Sequence, residues 1–448
     1  MRLELQEPIA LLGFGVEGKS TLRHLLGWGY RKITVLDKAV PGEELSAGVQ
    51  GYFGDDYLKG LQGIRTAIRS PGLRPFYPEI LEFQKQGGLL TSQVEMAFSL
   101  LGGRRILGVT GTVGKGTCCS LLSGMLLRGN VPHRLAGNIG LPPLDVVENL
   151  EPKAWLLLEL SSFQLSTLNE SRDNPAVAVV LRTTSEHLDW HASKSEYWDH
   201  KANLTRHQKP GDLCVYFADA EGSAWIGTQG AGRKISIGQK GAVRVTESEV
   251  EWPERNFRLR LSETRLLGSF NLENLAAAAA VALELGVTAD AILSAARDFA
   301  PLEHRLEFVR SLQGVSYYND SYATRPEAAL AAVKALRGGP LGLILGGSEK
   351  FADFAELAAG LAAETHLRAL ALIGQTAPRL ESELRDAGAL ANRKYLVCAS
   401  LEEAMDFLRS EIHTGAVLLS PACASFGLFA NYKERGIAFK RLVNALKE

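Results

Sequence analysis

The chain has 448 residues, 46% of them hydrophobic and 22% charged, a balance that suits about three domains and excludes wholesale disorder. Lys plus Arg number 49 and Asp plus Glu 50, a net charge of −1. That excludes a global basic field for holding nucleic acid or an anionic membrane surface. No apolar run approaches the ~20 residues of a membrane helix. The opening MRLELQEP carries charges where a signal peptide would be apolar. The five cysteines, Cys118, Cys119, Cys214, Cys398 and Cys423, include no CxxC, so neither a disulfide framework nor a zinc ribbon is expected. A cytoplasmic monomer without membrane insertion is the expectation.

The first segment reads as strand Ile9–Leu12, a Gly-rich turn, a helix and strand Ile33–Leu36. Apolar strands bounded by turns suggest a buried parallel sheet in a Rossmann-like unit. Gly13-Phe14-Gly15-Val16-Glu17-Gly18 matches G-x-G-x-x-G between strand and helix, and Asp37 ends the next strand. In that context the motif predicts a nucleotide diphosphate at the helix N-terminus. It does not separate NAD from other nucleotides. A tight turn that binds nothing would look the same.

A second unit opens with strand Arg105–Val109, then Thr110-Gly111-Thr112-Val113-Gly114-Lys115-Gly116-Thr117 and a helix. This loop departs from the P-loop consensus at Val109 and at Gly116. Backbone N–H groups from Gly111 to Lys115 can still cradle phosphates, and Lys115 can reach them, so ATP binding is expected. The hydroxyl that usually meets Mg²⁺ is missing at Gly116, leaving Thr117 or water to serve. Glu159 ends the apolar run Trp155–Leu158, where a Mg²⁺ ligand or a water-positioning carboxylate belongs. A further strand is expected at Ala176–Leu181, short strands over 213–267 and an Ala-rich helix over Leu275–Leu285.

His187, His191, His200 and His207 lie near Glu186 and Asp189 in sequence, with His187 and His191 spaced to share a helix face. Zinc is the naive reading. No Cys joins the group, and such clusters more often face solvent or substrate. The third segment alternates again, with strands expected at Val315–Tyr318, Leu341–Leu345, Ala369–Ile373 and Ala416–Leu419. The fold class is therefore α/β in three domains: a Rossmann-like unit over 1–103, a P-loop ATP-binding unit over 104–300, and a second Rossmann-like unit over 301–448.

The order of motifs is more specific than any one of them. The P-loop variant precedes Glu159-Leu160-Ser161-Ser162-Phe163-Gln164-Leu165, His187-Leu188-Asp189, Lys201, Phe270-Asn271-Leu272-Glu273-Asn274 and His304-Arg305. Asn319-Asp320-Ser321 and Ser420-Pro421-Ala422-Cys423-Ala424-Ser425-Phe426 follow. From Gly13 to Gly436 the chain resembles the Mur ligases, ATP-dependent amide ligases of cell-wall synthesis, and most of all the branch that adds D-glutamate. The resemblance implies that ATP phosphorylates the terminal carboxylate of UDP-N-acetylmuramoyl-L-alanine. The amine of D-glutamate then attacks the acyl phosphate.

By matched motif, the resemblance assigns Gly111, Thr112, Gly114, Lys115, Gly116, Thr117, Asn271, Arg305 and Asp320 to ATP. It assigns Glu159, His187 and Lys201 to Mg²⁺, with Lys201 as a carbamate. Together with Lys115, these three form the implied catalytic set. Val16, Glu17, Asp37, Lys38 and Gly72 match the uridine diphosphate pocket. Asn138, Ser161, Gln164 and His187 match positions facing the UDP-sugar substrate. Thr324, Lys350, Ser425, Phe426 and Tyr432 match the D-glutamate pocket. The family's T-G-T-N-G-K-[ST]-T carries Val113 and Gly116 here, its N-D-S-K-A-T-N carries Tyr322 and Arg325, and its S-F-D carries Gly427. Arg325 is a candidate to restore the cation that Tyr322 removes, provided its loop is helical. Two alternatives stay open: a degenerate relative that binds a UDP-sugar without turnover, and a ligase with a different acceptor. An NAD-dependent oxidoreductase ranks last, because a phosphate loop has no use there.

Overall fold

The structure is a computed structural model that describes residues 4–42, 44–168, 174–184, 186, 190–349 and 351–447. His187, Asp189 and Lys350 lie outside the described residues. The chain forms two compact units, Met1–Arg260 with Glu273–Arg297, and Leu261–Leu272 with Asp298–Glu448. Among the described residues no helix is long and apolar enough to cross a membrane.

The first unit holds three sheets. β1 (Ile9–Leu12), β2 (Ile33–Asp37), β3 (Gln50–Phe53), β4 (Thr66–Arg69) and β5 (Leu89–Thr91) form a parallel sheet in the order β3-β2-β1-β4-β5. β1 is buried at every position, as a parallel strand covered on both faces must be. β6 (Ile106–Thr110), β7 (His133–Gly137), β8 (Trp155–Glu159), β9 (Val177–Val180), β10 (Leu213–Phe217) and β11 (Arg233–Ile237) form a second parallel sheet, ordered β11-β10-β9-β6-β8-β7. The helix Gln93–Leu101 serves both sheets. Val94, Ala97 and Phe98 pack with Leu156 and Leu158, and Met96 packs with Ile9 and Leu11.

The stretch expected to be short strands is more varied. The helix Glu221–Gly227 separates β10 from β11, and β12 (Arg244–Val245), β13 (Glu249–Trp252) and β14 (Phe257–Arg260) make a small antiparallel sheet. The Ala-rich helix runs Phe270–Glu284, beginning earlier than the Ala run because Asn271 and Leu272 already carry its inward face.

The second unit is built on β15 (Glu307–Leu312), β16 (Val315–Asn319), β17 (Leu341–Gly346), β18 (Leu367–Ile373), β19 (Lys394–Cys398) and β20 (Gly415–Leu419), ordered β15-β16-β20-β17-β18-β19. β17 is buried throughout. β15 was not expected. It runs antiparallel to β16 at the sheet edge, so the sheet is mixed. Its mostly half-exposed sequence EFVRSL lacks the apolar run that marks the central strands.

In each of the three large sheets a motif singled out above follows the carboxyl end of a strand, Gly13–Gly18 after β1, Gly111–Lys115 after β6 and Asp320-Ser321 after β16, where open α/β sheets place their ligands.

Candidate active site

In the first sheet the strand order reverses beside β1, and the loops leaving β1 and β4 meet there. Gly13 has φ +97°, and a Cβ on it would lie 2.9 Å from the Ser70 side chain. A Cβ on Gly18 would lie 2.2 Å from Gly13 O. Close approach between strand, loop and helix therefore requires both glycines. Asp37 acts within the loop, accepting from Phe14 N at 2.6 Å and Ala39 N at 2.8 Å. Val16 and Glu17 open the helix Val16–Gly27. Lys38 pairs with Asp55 in solvent, and Gly72 is exposed in the loop after β4. The candidate uridine diphosphate residues thus share the carboxyl edge of β1, β2 and β4.

The phosphate loop leaves β6 between β8 and β9. Gly111 has φ +149°, and a Cβ there would sit 2.7 Å from Leu181 Cβ. Gly114 is left-handed at the helix N-cap, and a Cβ would sit 2.2 Å from Asn274 Oδ1. Lys115 begins the helix Lys115–Arg128 and folds back on its own loop, donating to Gly111 O at 3.0 Å and Thr112 O at 2.9 Å. Thr112 Oγ1 accepts from Thr184 N at 3.0 Å and shares a 3.0 Å bond with Tyr197 Oη. Gly116 and Thr117 are buried in the first turn.

Lys201 comes to this loop from the helix Lys194–Ala202, only 1% exposed. Its Nζ donates to Gly111 O at 2.9 Å and Thr110 Oγ1 at 3.3 Å, and lies 4.7 Å from the Tyr197 ring centroid. Burial holds its pKa well below that of an ordinary lysine, and the charge of Lys115 adds to this; Glu186 and Glu159 oppose it. Glu159, at the end of β8, is 4% exposed and accepts from Asn138 Nδ2 at 3.0 Å. Glu159 O also accepts from Asn138 N at 2.9 Å. A carboxylate and two lysines therefore gather at the loop that follows β6, and charges of both signs are what handling a phosphate with a cation requires.

Ser161 and Gln164 close a reciprocal capping box at the start of the short helix Ser162–Leu165. Gln164 Nε2 donates to Glu17 Oε1 at 3.0 Å, tying this turn to the first loop. Burial pushes the Glu17 carboxyl up, against the Gln164 bond and the charge of Arg69.

Arg69 is a residue that sequence reasoning missed. It ends β4, is 1% exposed, and bonds Ser70 O, Pro71 O and Leu73 O on one side. On the other it bonds Phe163 O at 2.7 Å and Ser166 Oγ at 2.9 Å. One guanidinium thus joins the loop carrying Gly72 to the turn carrying Gln164. An arginine closing an apolar strand just before Ser70-Pro71-Gly72 is the faint signal that could have marked it.

The spacing of His187 and His191 allowed them to share a helix face, and only one of the two lies among the described residues. His191 precedes the helix Lys194–Ala202 in a bend, and His187 lies outside the described residues. His191 Nε2 bonds Ser162 Oγ at 2.9 Å, while its Nδ1 meets His200 Nδ1 at 3.2 Å. Among the described residues the metal-like grouping is instead Glu303, His304 and Glu307. There Lys440 already pairs with both carboxylates.

In the second unit, β16 and β20 are neighbours, and the loops after them interlock. Asp320 N donates to Leu419 O at 2.8 Å, and Ser420 Oγ donates to Asp320 Oδ2 at 2.7 Å. Leu306 N donates to Asp320 Oδ1 at 3.0 Å. Burial pushes the Asp320 carboxyl up to about 7, against these two bonds and the nearby Arg305 charge. Arg435, also missed, is 1% exposed in the helix Tyr432–Ala445. It bonds Ser321 Oγ at 3.0 Å, Ser321 O at 2.9 Å, Cys423 O at 3.1 Å and Ala424 O at 3.2 Å. It holds the Asn319-Asp320-Ser321 turn against the Ser420–Ser425 loop.

The remaining candidates are spread over loops and helix starts of this unit. Ser425 is buried, Phe426 exposed and Tyr432 half-buried. Asn271 donates to Leu267 O at 2.8 Å. Thr324 and Arg325 are not helical. Arg325 is the N-cap residue of the helix Pro326–Ala335, and its Nε lies 3.7 Å from Glu327 Oε2. The helical condition set for Arg325 is therefore unmet.

Residues 109–282 match the Mur ligase middle domain, and residues 304–423 the glutamate ligase domain of Mur ligases. The chain is 35% identical to a UDP-N-acetylmuramoylalanine--D-glutamate ligase of Symbiobacterium thermophilum, over 99% of each chain. It is 36% identical to the protein of the same name from Acidobacterium capsulatum, over 93% of this chain and 90% of that one. Among solved structures it is similar to MurF ligase from Thermotoga maritima in complex with ADP (TM-score 0.62, 18% identity, 98% of this chain and 94% of that one). It is likewise similar to UDP-N-acetylmuramate-alanine ligase MurC from the same organism (TM-score 0.60, 16% identity, 97% and 98%). At these identities the structural likeness speaks for the fold alone. On the full-length identity to its relatives, the chain belongs to the Mur ligase family.

Proposed function

We propose that the protein is the ATP-dependent ligase that adds D-glutamate to UDP-N-acetylmuramoyl-L-alanine in peptidoglycan synthesis. Residues 1–103 hold the uridine diphosphate end, 104–300 the ATP, and 301–448 the amino acid. A carboxylate oxygen of the alanyl end attacks the γ-phosphorus of ATP, and ADP leaves. The neutral amine of D-glutamate then attacks the acyl carbon, phosphate leaves and the amide remains.

The observation that carries this reading is the convergence of Lys115 and Lys201 on Gly111 O. Lys115 satisfies itself on carbonyls of its own loop, bonds it can exchange for phosphate oxygens as charge develops there. Lys201 is buried and held toward its neutral amine, the form that adds CO₂ to give a carbamate and a released proton. That change turns a buried cation into an anion beside Glu159. The donor set of Glu159 and carbamylated Lys201 then fits a hard divalent cation. Mg²⁺ bound there would supply charge to offset the repulsion between carboxylate and triphosphate. Asn138 fixes the Glu159 carboxylate, and Ser161, Gln164 and Glu17 shape the path of the sugar nucleotide. His187 remains part of the proposed metal and substrate set. In the second unit Asn271, Arg305 and Asp320 are assigned to the nucleotide. Thr324, Arg325, Lys350, Ser425, Phe426 and Tyr432 are assigned to the acceptor, whose two carboxylates call for cations and N–H donors.

The test is phosphate release with UDP-N-acetylmuramoyl-L-alanine, ATP and Mg²⁺, with D-glutamate, L-glutamate, glycine and a diamino acid compared side by side. D-Glutamate is expected to give the highest kcat/KM. Preference for another amino acid would refute the acceptor, and absence of turnover with all of them would refute the ligase.

A further inference from the structure

Arg305 differs from the other functional arginines of this chain. Arg69 and Arg435 are buried and spend their N–H groups on backbone and hydroxyl oxygens. Arg305 is half-buried, and among the described residues its guanidinium has no hydrogen bond or ion pair. What holds it is an aromatic face: Arg305 Cζ lies 3.7 Å from the centroid of the Tyr322 ring. A guanidinium stacked on a ring keeps its in-plane donors pointing outward, able to meet an anion.

The ring is itself held. Tyr432 meets it edge-on, centroids 5.0 Å apart at 89°, and Tyr432 in turn meets His304 at 5.9 Å and 85°. Tyr322 N donates to His304 O at 3.0 Å. The backbone on either side of Arg305 is left-handed at non-glycine residues, His304 at φ +65° and Leu306 at φ +48°. Such conformations persist where the surroundings over-determine them, and they gather at functional sites. Here the surroundings are His304 N to Glu307 Oε2 at 3.0 Å, Leu306 N to Asp320 Oδ1 at 3.0 Å, and Asn319 Nδ2 to His304 Nδ1 at 2.9 Å. The whole turn presents one side chain with its donors unspent.

We propose that Tyr322 is the positioning residue that pre-orients Arg305 for a phosphate group of the nucleotide, by stacking beneath its guanidinium. The inference rests on the assignment of Arg305 to the nucleotide and deepens it. It also gives position 322 a role other than acceptor binding. A lysine there would place a second cation where Arg305 now rests on a π-face. The stack joins the nucleotide arginine to Tyr432, assigned to the acceptor, through ring contacts alone.

The experiment measures the dissociation constant of a non-hydrolysable ATP analogue, and KM against kcat, for Y322F, Y322W, Y322L, Y322K and R305A, with thermal denaturation alongside. Loss of the cation–π contact in Y322L is expected to weaken analogue binding by about 2- to 30-fold. Y322F and Y322W retain a π-face and are expected to bind within about twofold of wild type, Trp at least as well as Phe. The effect falls on the KM for ATP more than on kcat. If R305A loses analogue affinity while Y322L does not, the ring does not orient Arg305 and the proposal fails. If Y322K tightens D-glutamate binding and leaves analogue binding intact, position 322 belongs to the acceptor pocket and the proposal also fails. If R305A itself leaves analogue binding unchanged, the assignment of Arg305 to the nucleotide is what falls.

Discussion

Lys115 and Lys201 donate to the same oxygen, the carbonyl of Gly111, at 3.0 and 2.9 Å. Two ammonium groups on one acceptor repel each other, and the repulsion is strongest where water is excluded. Lys115 is half-buried and Lys201 fully buried, so burial first, and then the charge of Lys115, pull the Lys201 pKa well below that of an ordinary lysine. A buried lysine whose pKa is pulled down is poorly placed to bind phosphate by charge. It is well placed to react as an amine.

Lys201→Ala is expected to lower kcat on the order of 10²–10³-fold, the scale for removing one preorganised electrostatic group. Short carboxylates such as acetate or propionate should restore part of the rate by standing in for the carbamate. Carbon-13 NMR in labelled bicarbonate should show a carbamate signal in wild type that the variant lacks. Full activity without rescue would remove Lys201 from the mechanism. Stability gives an independent readout. Because the folded pKa is depressed, the unfolded state binds the extra proton between that value and the ordinary lysine value of about 10.4. In CO₂-depleted buffer, wild type should therefore gain stability relative to Lys201→Met as pH rises through that window. A constant difference would mean that Lys201 stays charged in the fold.

Gly116 puts no hydroxyl in the first turn of the helix Lys115–Arg128, and Mg²⁺ readily keeps water where a protein ligand is missing. Gly116→Ser is expected to fold normally and to reduce the Mg²⁺ concentration for half-maximal rate. An unchanged requirement would mean that Thr117 or another group already serves.

Asp320 carries a carboxyl pushed up to about 7 by burial, against about 3.9 in an unfolded chain. A raised carboxyl pKa means that the folded state holds the proton more tightly, so stability falls as pH climbs from about 4 to about 7 and levels above. Asp320→Asn removes that titration and keeps acceptor and donor atoms for Leu306 N and Ser420 Oγ. Its stability relative to wild type should rise over that pH range by a few kcal/mol at most, read by chemical denaturation at several pH values. A flat difference would show that Asp320 ionises in the fold as readily as in the unfolded chain.

Strands were legible where both faces are covered. β1, β17 and the centre of β8 are apolar runs, and their ends locate Gly13, the acceptor loops and Glu159. β15 was not legible, because an edge strand answers to one neighbour and carries Glu307, Arg310 and Ser311 among its apolar residues. The motif residues of the site were legible by type, but their burial was not. Lys201 reads as any solvated lysine in Tyr197-Trp198-Asp199-His200-Lys201, and only its burial in the fold pulls its pKa down. Arg69 and Arg435 escaped for the same reason. An arginine defaults to solvent, and part of what holds these two inside comes from far along the chain, Phe163 O for Arg69 and Ser321 O for Arg435.

The residues proposed for the acceptor include Arg325, close in sequence to Tyr322. Tyr322 has taken a position where the family carries a lysine, and its ring faces Arg305 instead of an acceptor carboxylate. If the lost cation is replaced, Arg325 is the nearest candidate in sequence. The structure sets a cost on that use. Arg325 caps the helix Pro326–Ala335, and its Nε lies 3.7 Å from Glu327 Oε2 at a partly exposed site. An ion pair of this kind is worth only about 0–1 kcal/mol and yields readily to a better anion. A carboxylate held by the forked guanidinium is worth more, about 1.5–3 kcal/mol. If Arg325 serves the acceptor from this non-helical position, Arg325→Ala raises the KM for D-glutamate roughly ten- to over a hundredfold, with a smaller change in the KM for ATP. On the same condition, Glu327→Ala removes a neighbouring carboxylate and lowers the glutamate KM. If Arg325→Ala leaves that KM unchanged, the acceptor is held without Arg325.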